Sequence, residues 1–228
     1  MSRHAPEART EQVERIDLMQ STVYAVRGQR TVLVDAGPAG HEARLLRRLD
    51  RAGIPREDIA AIVLTHCHPD HAGGAAELRR RLDVPIAVHA AEAKWAAAGR
   101  SHFYRPLRPF GHVLRRTMRP TFRAFIPDIV LEQDGDLDQF GTSLRMLHTP
   151  GHTPGSITLV HGPTGDALVG DLLAGSVLRD NRPNWPFFAQ DTAQIRRSVR
   201  TVLKANPRRL LFGHGRPASA QSVVLRFP

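Results

Sequence analysis

Three histidines and an aspartate crowd into one short stretch, Thr65-His66-Cys67-His68-Pro69-Asp70-His71. Imidazole and carboxylate are the donors that zinc, iron and manganese take. The i, i+2 spacing of His66 and His68 lets two rings reach one ion from an extended turn. Asp70 and His71 lie one step further along and face a second ion, with Pro69 stiffening the chain between the pairs. A lone histidine is usually a packing or surface residue, but four donors in the order His-x-His-x-Asp-His are not incidental. One such motif supplies too few donors for two ions, so others must come from elsewhere in the chain. His152 in Thr149-Pro150-Gly151-His152-Thr153-Pro154-Gly155, Asp171 in Gly170-Asp171 and His214 in Gly213-His214-Gly215 are the candidates.

The elements that must hold these side chains can be read from periodicity. Ile59–Leu64 is a short apolar run that reads as a buried strand and delivers the first motif at its end. Ala167–Val169 does the same for Asp171, and Leu210–Phe212 for His214. Each candidate therefore sits where a strand gives way to a glycine-containing turn, on rigid scaffold open to a common cleft. Around them, Thr22–Val26 and Thr31–Asp35 flank a turn and read as a hairpin. Pro85–His89, Asp128–Leu131, Ser143–Leu147 and Ser156–Val160 read as further strands. His41–Arg51, with Leu45, Leu46 and Leu49 on one face, reads as an amphipathic helix. Helices are also expected over Ala75–Leu82, Ala90–Ala98 and Thr192–Lys204, the last with Asp191 as N-cap. Many strands read as antiparallel neighbours, and two strand groups each followed by helices predict an α/β (α+β) arrangement of packed sheets with helices outside.

The order His66-x-His68-x-Asp70-His71, His152, Asp171, His214, with its flanking glycines, resembles the metallo-β-lactamase superfamily, and most closely its glyoxalase-II-like hydrolase branch. The match runs from Asp35-Ala36-Gly37 to Gly213-His214-Gly215. The resemblance implies a four-layer αββα sandwich with the metals in a groove at one edge of the two sheets. It implies that His66, His68 and His152 hold a first ion, that Asp70, His71 and His214 hold a second, and that Asp171 bridges. It implies two divalent ions, zinc foremost, with iron and manganese accepted by the same donors. The activity implied is that of a metallohydrolase, in which a hydroxide shared by the ions attacks a small-molecule thioester, ester or lactone and Asp70 orients it or shuttles its proton. A phosphodiesterase or nuclease using the same site is the alternative. The glutathione-binding helical region of glyoxalase II has no counterpart after His214. The cysteine ligand of one β-lactamase subclass has none either, since Asp171 stands in its place.

Other features bound the reading. The 228 residues suit a single domain, with 41% hydrophobic residues to form its core. The N-terminal stretch through Ile16 is polar and charged, without the apolar segment of a secretory signal, and no apolar run approaches a membrane span. Cys67 is the only cysteine, so no intrachain disulfide forms and a cytoplasmic location is expected. The net charge of +10 is carried almost wholly by arginine and is spread along the chain, which points away from nucleic acid as partner. Residues 99–127 stand apart as a basic, aromatic insert, expected to be helical and free of acidic residues. Three roles suit it: a lid or pocket wall that recognises an anionic or acyl substrate, an excursion packing its aromatics on the core with arginines in solvent, or an amphipathic membrane-surface segment. Asp35 reads as a partner of a ligating imidazole or a turn residue, and Cys67 as a buried thiol turned away from the metals. Trp185, Phe187 and Phe188 read either as pocket wall or as core packing.

Overall fold

The computed structural model describes residues 11–227; the expectations for the first ten residues lie outside them. The first half runs β1 (Gln12–Asp17), β2 (Thr22–Arg27), β3 (Thr31–Val34), α1 (Glu42–Arg51), β4 (Ile59–Val63), α2 (Pro69–Ala72), α3 (Ala75–Leu82), β5 (Ile86–His89), α4 (Ala90–Ala98), β6 (Arg105–Pro106), α5 (Pro109–Thr117) and β7 (Ile129–Leu131). The second half runs β8 (Gly135–Asp136), β9 (Leu144–His148), β10 (Ile157–His161), β11 (Asp166–Leu168), β12 (Phe188–Ala189), α6 (Thr192–Lys204), β13 (Arg209–Leu211), β14 (Ala218–Ser219) and α7 (Ala220–Arg226). Two six-stranded sheets result, ordered β1-β2-β3-β4-β5-β7 and β14-β13-β11-β10-β9-β8, while β6 and β12 form a separate two-stranded ribbon.

Side-chain alternation along the strands makes the four layers. In β2, Val23 and Ala25 face α1, α3 and α4, where they join Leu45, Leu49, Leu78 and Ala96. Tyr24 and Val26 point the other way, into a core shared with Leu144, Met146, Ile157, Leu159, Leu168 and Leu211 of the second sheet. Beyond that sheet, Ala167 and Leu210 pack against Ile195, Val199 and Val202 of α6 and Val223 of α7. Each large aliphatic side chain so buried contributes about 1.5–3 kcal/mol, and the three apolar layers hold the sheets face to face with helices outside. This is the expected αββα arrangement.

Pairing differs from expectation in part. The hairpins β1/β2 and β2/β3 are antiparallel, but β3/β4, β4/β5 and β5/β7 are parallel, as is β11/β13. Strands joined through helices return in the same direction, a connection that local periodicity does not reveal. The insert at 99–127 is helical only over α5; the rest is irregular chain apart from β6 and an isolated bridge between Arg100 and Thr121. Asp191 caps α6 as expected, its carboxylate accepting from the backbone of Ala193 and Gln194 at 2.8 and 3.1 Å. No helix among the described residues is long and apolar enough to cross a membrane.

Candidate metal centre

All seven predicted donors arrive at one edge of the sandwich. The chain leaving β4 places His66 and His68, and the single turn α2 carries Asp70 and His71. The turn after β9 brings His152, the one after β11 brings Asp171, and the one after β13 brings His214. The two sheets are stitched together at this edge. The Thr22 amide donates to the Gly213 carbonyl (2.8 Å), the Tyr24 hydroxyl to the Phe212 carbonyl (2.7 Å), and the Ile157 amide to the Thr65 carbonyl (3.0 Å). Close packing requires glycine at 213, because a Cβ there would stand 2.5 Å from both the Asp171 carboxylate and the His71 ring.

Three ring nitrogens meet at the bottom of the groove. His66 Nε2 lies 3.1 Å from His68 Nδ1 and 3.2 Å from His152 Nε2, and the latter two are 3.0 Å apart. The opposite nitrogen of each ring is already committed. His152 Nδ1 donates to the Phe188 carbonyl (2.8 Å) and His68 Nε2 to the His102 carbonyl (3.1 Å). His66 Nδ1 sits 3.1 Å from the Thr65 hydroxyl, whose own proton goes to Asp35. A neutral imidazole that donates from one nitrogen presents a lone pair at the other. Three lone pairs therefore converge with no proton between them, an arrangement that repels unless a cation fills the centre. Burial, and then the neighbouring rings, push the His66 imidazole well below its ordinary pKa. Burial and His152 push His68 down to about 3, and burial lowers His152. All three stay neutral, as metal binding needs.

The remaining donors form an adjoining cluster. His214 Nε2 lies 3.1 Å from Asp70 and 3.2 Å from Asp171, and His71 Nε2 lies 3.4 Å from His214 Nε2 and 3.5 Å from Asp171. Asp171 faces both groups: Oδ2 is 3.7 Å from His152, while Oδ1 is buried without a hydrogen-bond partner. Burial pushes the carboxyls up, but His71 and His214 outweigh it, holding Asp70 at about 2 and Asp171 well below the ordinary carboxylate range. Burial lowers both remaining imidazoles, yet Asp35, Asp171 and Asp70 raise His71 to about 9, and Asp171 and Asp70 hold His214 well above its ordinary value. Two carboxylates here attract any cation, a proton or a metal ion alike. The paired lone-pair triad and carboxylate cluster fit two divalent ions.

Asp35 does more than turn the chain. Its Oδ2 accepts a hydrogen bond from His71 Nδ1 at 2.7 Å and its Oδ1 accepts from the Thr65 amide at 2.7 Å, so His71 Nε2 is aimed inward. Cys67 is buried as expected, its thiol raised well above the ordinary range by burial and by Glu92. His148 stacks on His89 at 4.0 Å and bonds the Pro154 carbonyl, touching no donor. Trp185 does not line the groove but packs edge-on against Phe227; Phe187 and Phe188 do line it.

Two contributions escape sequence reading. The buried carboxylate of Glu92 accepts from the Cys67 amide (2.8 Å), the Thr153 hydroxyl (2.8 Å) and the Gly155 amide (3.1 Å). It thereby clamps the His66–His68 segment to the His152 turn. Its signal was a lone acid in the alanine-rich run Ala90–Ala98, too slight to single out. The backbone carbonyl of His102, a residue without any motif, orients His68.

A family model described as "Metallo-beta-lactamase superfamily" matches residues 16–214. The hydroxyacylglutathione hydrolase GloC of Haemophilus influenzae is 29% identical over 168 residues, 73% of this chain and 71% of that protein. An N-acyl homoserine lactonase of a Bacillus species is 31% identical over 180 residues, 76% of this chain and 62% of that protein. The crystal structure of TTHA1623 in a di-iron-bound form is 26% identical, with a TM-score of 0.68 over 95% of this chain and 98% of that one. Donor order, four-layer fold and family match agree: this chain belongs to the metallo-β-lactamase superfamily and is a metallohydrolase of mixed α/β architecture.

Proposed function

We propose that the protein hydrolyses a small-molecule thioester, ester or lactone at a dinuclear centre. The observation that carries this reading is the convergence of three lone-pair nitrogens beside a carboxylate-rich cluster at the floor of an open groove. His66, His68 and His152 would hold one ion, Asp70, His71 and His214 the other, with Asp171 between them. Two divalent ions held by these residues would supply an acidified water at neutral pH and polarisation of the scissile carbonyl. Asp70, held ionised by His71 and His214, takes the proton of the attacking water and passes it to the leaving group. Phe103, Phe187 and Phe188 exclude bulk water from the reacting carbonyl. Similarity to a hydroxyacylglutathione hydrolase and to an N-acyl homoserine lactonase supports carbonyl chemistry. Zinc is the proposed metal, although a similar structure is di-iron. We read the chain as one domain and, from its single buried thiol, as cytoplasmic.

Hydrolysis of matched thioester, lactone and phosphodiester substrates by the metal-loaded protein, with and without chelator, tests the proposal. Chelator-sensitive turnover of a thioester or lactone is expected. Turnover of the phosphodiester alone would replace the acyl reading with the phosphodiesterase one.

A further inference from the structure

A cavity of about 1090 Å³ opens from His68, Asp70, Asp171 and His214 and runs outward between α5 and the turn around residues 174–178. Its volume is at the upper end of what small-molecule sites occupy, far more than an acetyl or lactoyl group fills. The inner wall is Phe103, Phe187 and Phe188. Phe110, Leu114 and Met118 follow at intervals of four along α5 and its end, one stripe facing the cavity. At the mouth, Met19 (77% exposed), Phe110 (58%), Val177 (77%) and Leu178 (81%) stand open to solvent. Single exposed apolar side chains need no explanation, but four around one entrance do. Two of the arginines beside them are paired, Arg15 with Asp17 at 3.3 Å and Arg216 with Asp180 at 3.6 Å, while Arg44 lies against the Met19 thioether at 3.0 Å. The α5 wall is fixed rather than loose. Gly111 packs so closely on the Phe187 carbonyl that a Cβ would come within 2.7 Å, the Leu107 amide donates to that same carbonyl, and the Arg108 guanidinium lies 4.8 Å over the Phe187 ring.

Building on the acyl-hydrolase reading, we propose that the substrate carries an extended apolar arm, of the size of a medium-length fatty-acyl chain, and that the Phe110–Leu114–Met118 stripe with Val177 and Leu178 is its receptor. Full burial of one methylene corresponds to about a fourfold gain in binding, and a groove open along one side returns about half of that factor.

The test uses the full-length, metal-loaded protein and acyl thioesters with one common leaving group, from acetyl through butanoyl and octanoyl to dodecanoyl. A rise in kcat/KM of about tenfold from butanoyl to octanoyl is expected, carried mainly by KM. The Phe110→Ala/Leu114→Ala variant should lose most of that rise; Phe110→Ala alone, at an exposed position that folding does not need, should lose part of it. Calorimetric titration of decanoate against acetate gives a readout independent of turnover, with decanoate binding at least tenfold tighter. Turnover that is flat or falling with chain length overturns the arm and leaves the hydrolase reading standing. Tight decanoate binding that depends on Phe110 and Leu114, without turnover of any acyl compound, keeps the receptor and overturns the hydrolase reading. Failure of both overturns both.

Discussion

Single side chains here act through the proton they hold or refuse. Asp70 is the carboxylate in position to move one, so Asp70→Asn should lower kcat by at least about a hundredfold, within the usual range for a general acid–base group. Steady-state kinetics with metal content measured in parallel checks this, and full activity in the variant removes the shuttle role. Asp35 works at one remove, fixing which nitrogen of His71 is bare. Asp35→Asn leaves the shape intact but weakens that hold, and about a 10- to 100-fold loss of metal affinity is expected by competition with a chromophoric chelator. Unchanged affinity would mean that the Thr65 contacts alone are what Asp35 provides. The donors were legible in the sequence because they are rare residue types, clustered or flanked by glycine at strand ends. Glu92 was not, because a single carboxylate in a helix looks the same whether it faces solvent or three buried donors.

At the scale of elements, the site is a meeting of strand ends from two sheets, and α4 is the brace between them. Glu92→Gln is nearly isosteric, yet an amide cannot accept from the Cys67 and Gly155 amides and the Thr153 hydroxyl through both its terminal atoms. The expected result is a weaker first metal position, read as sub-stoichiometric metal after dialysis, with rescue by excess metal but not in a Glu92→Ala protein. Full occupancy in Glu92→Gln would reduce the clamp to packing. The main strands and helices were legible from alternation and helical periodicity, to within a residue or two. β1 was not, since Gln12–Asp17 buries only Ile16 and joins the sheet through backbone bonds to β2 rather than through an apolar face. α7 escaped for want of length, its seven residues held by the Ser219 cap and Val223. Parallel pairing was invisible because it depends on contacts far apart in sequence.

For the molecule as a whole, the metal centre is also a proton store. Without metal, His71 titrates near 9, against about 6.5 in an unfolded chain. The stabilisation it gives is complete below pH 6.5 and disappears as pH rises through 9. Asp70, held at about 2, works in the opposite sense: its contribution is present above about pH 4 and is lost as pH falls through 2. The chelated protein should therefore lose thermal stability between pH 6.5 and 9, while the metal-loaded form, in which His71 is neutral throughout, should not. Thermal melts at both pH values decide it, and a flat chelated profile would refute the store. Finally, the ribbon of β6 and β12 has a consequence for how such a protein diversifies. The carbonyls of His102 and Phe188, which set the tautomers of His68 and His152, belong to the same short stretches that carry the walls of the groove. Selectivity and metal retention are thus inherited together: a loop transplanted from a relative to change substrate preference would also rewrite the wiring of the metal site unless it brought a carbonyl to each of those two points.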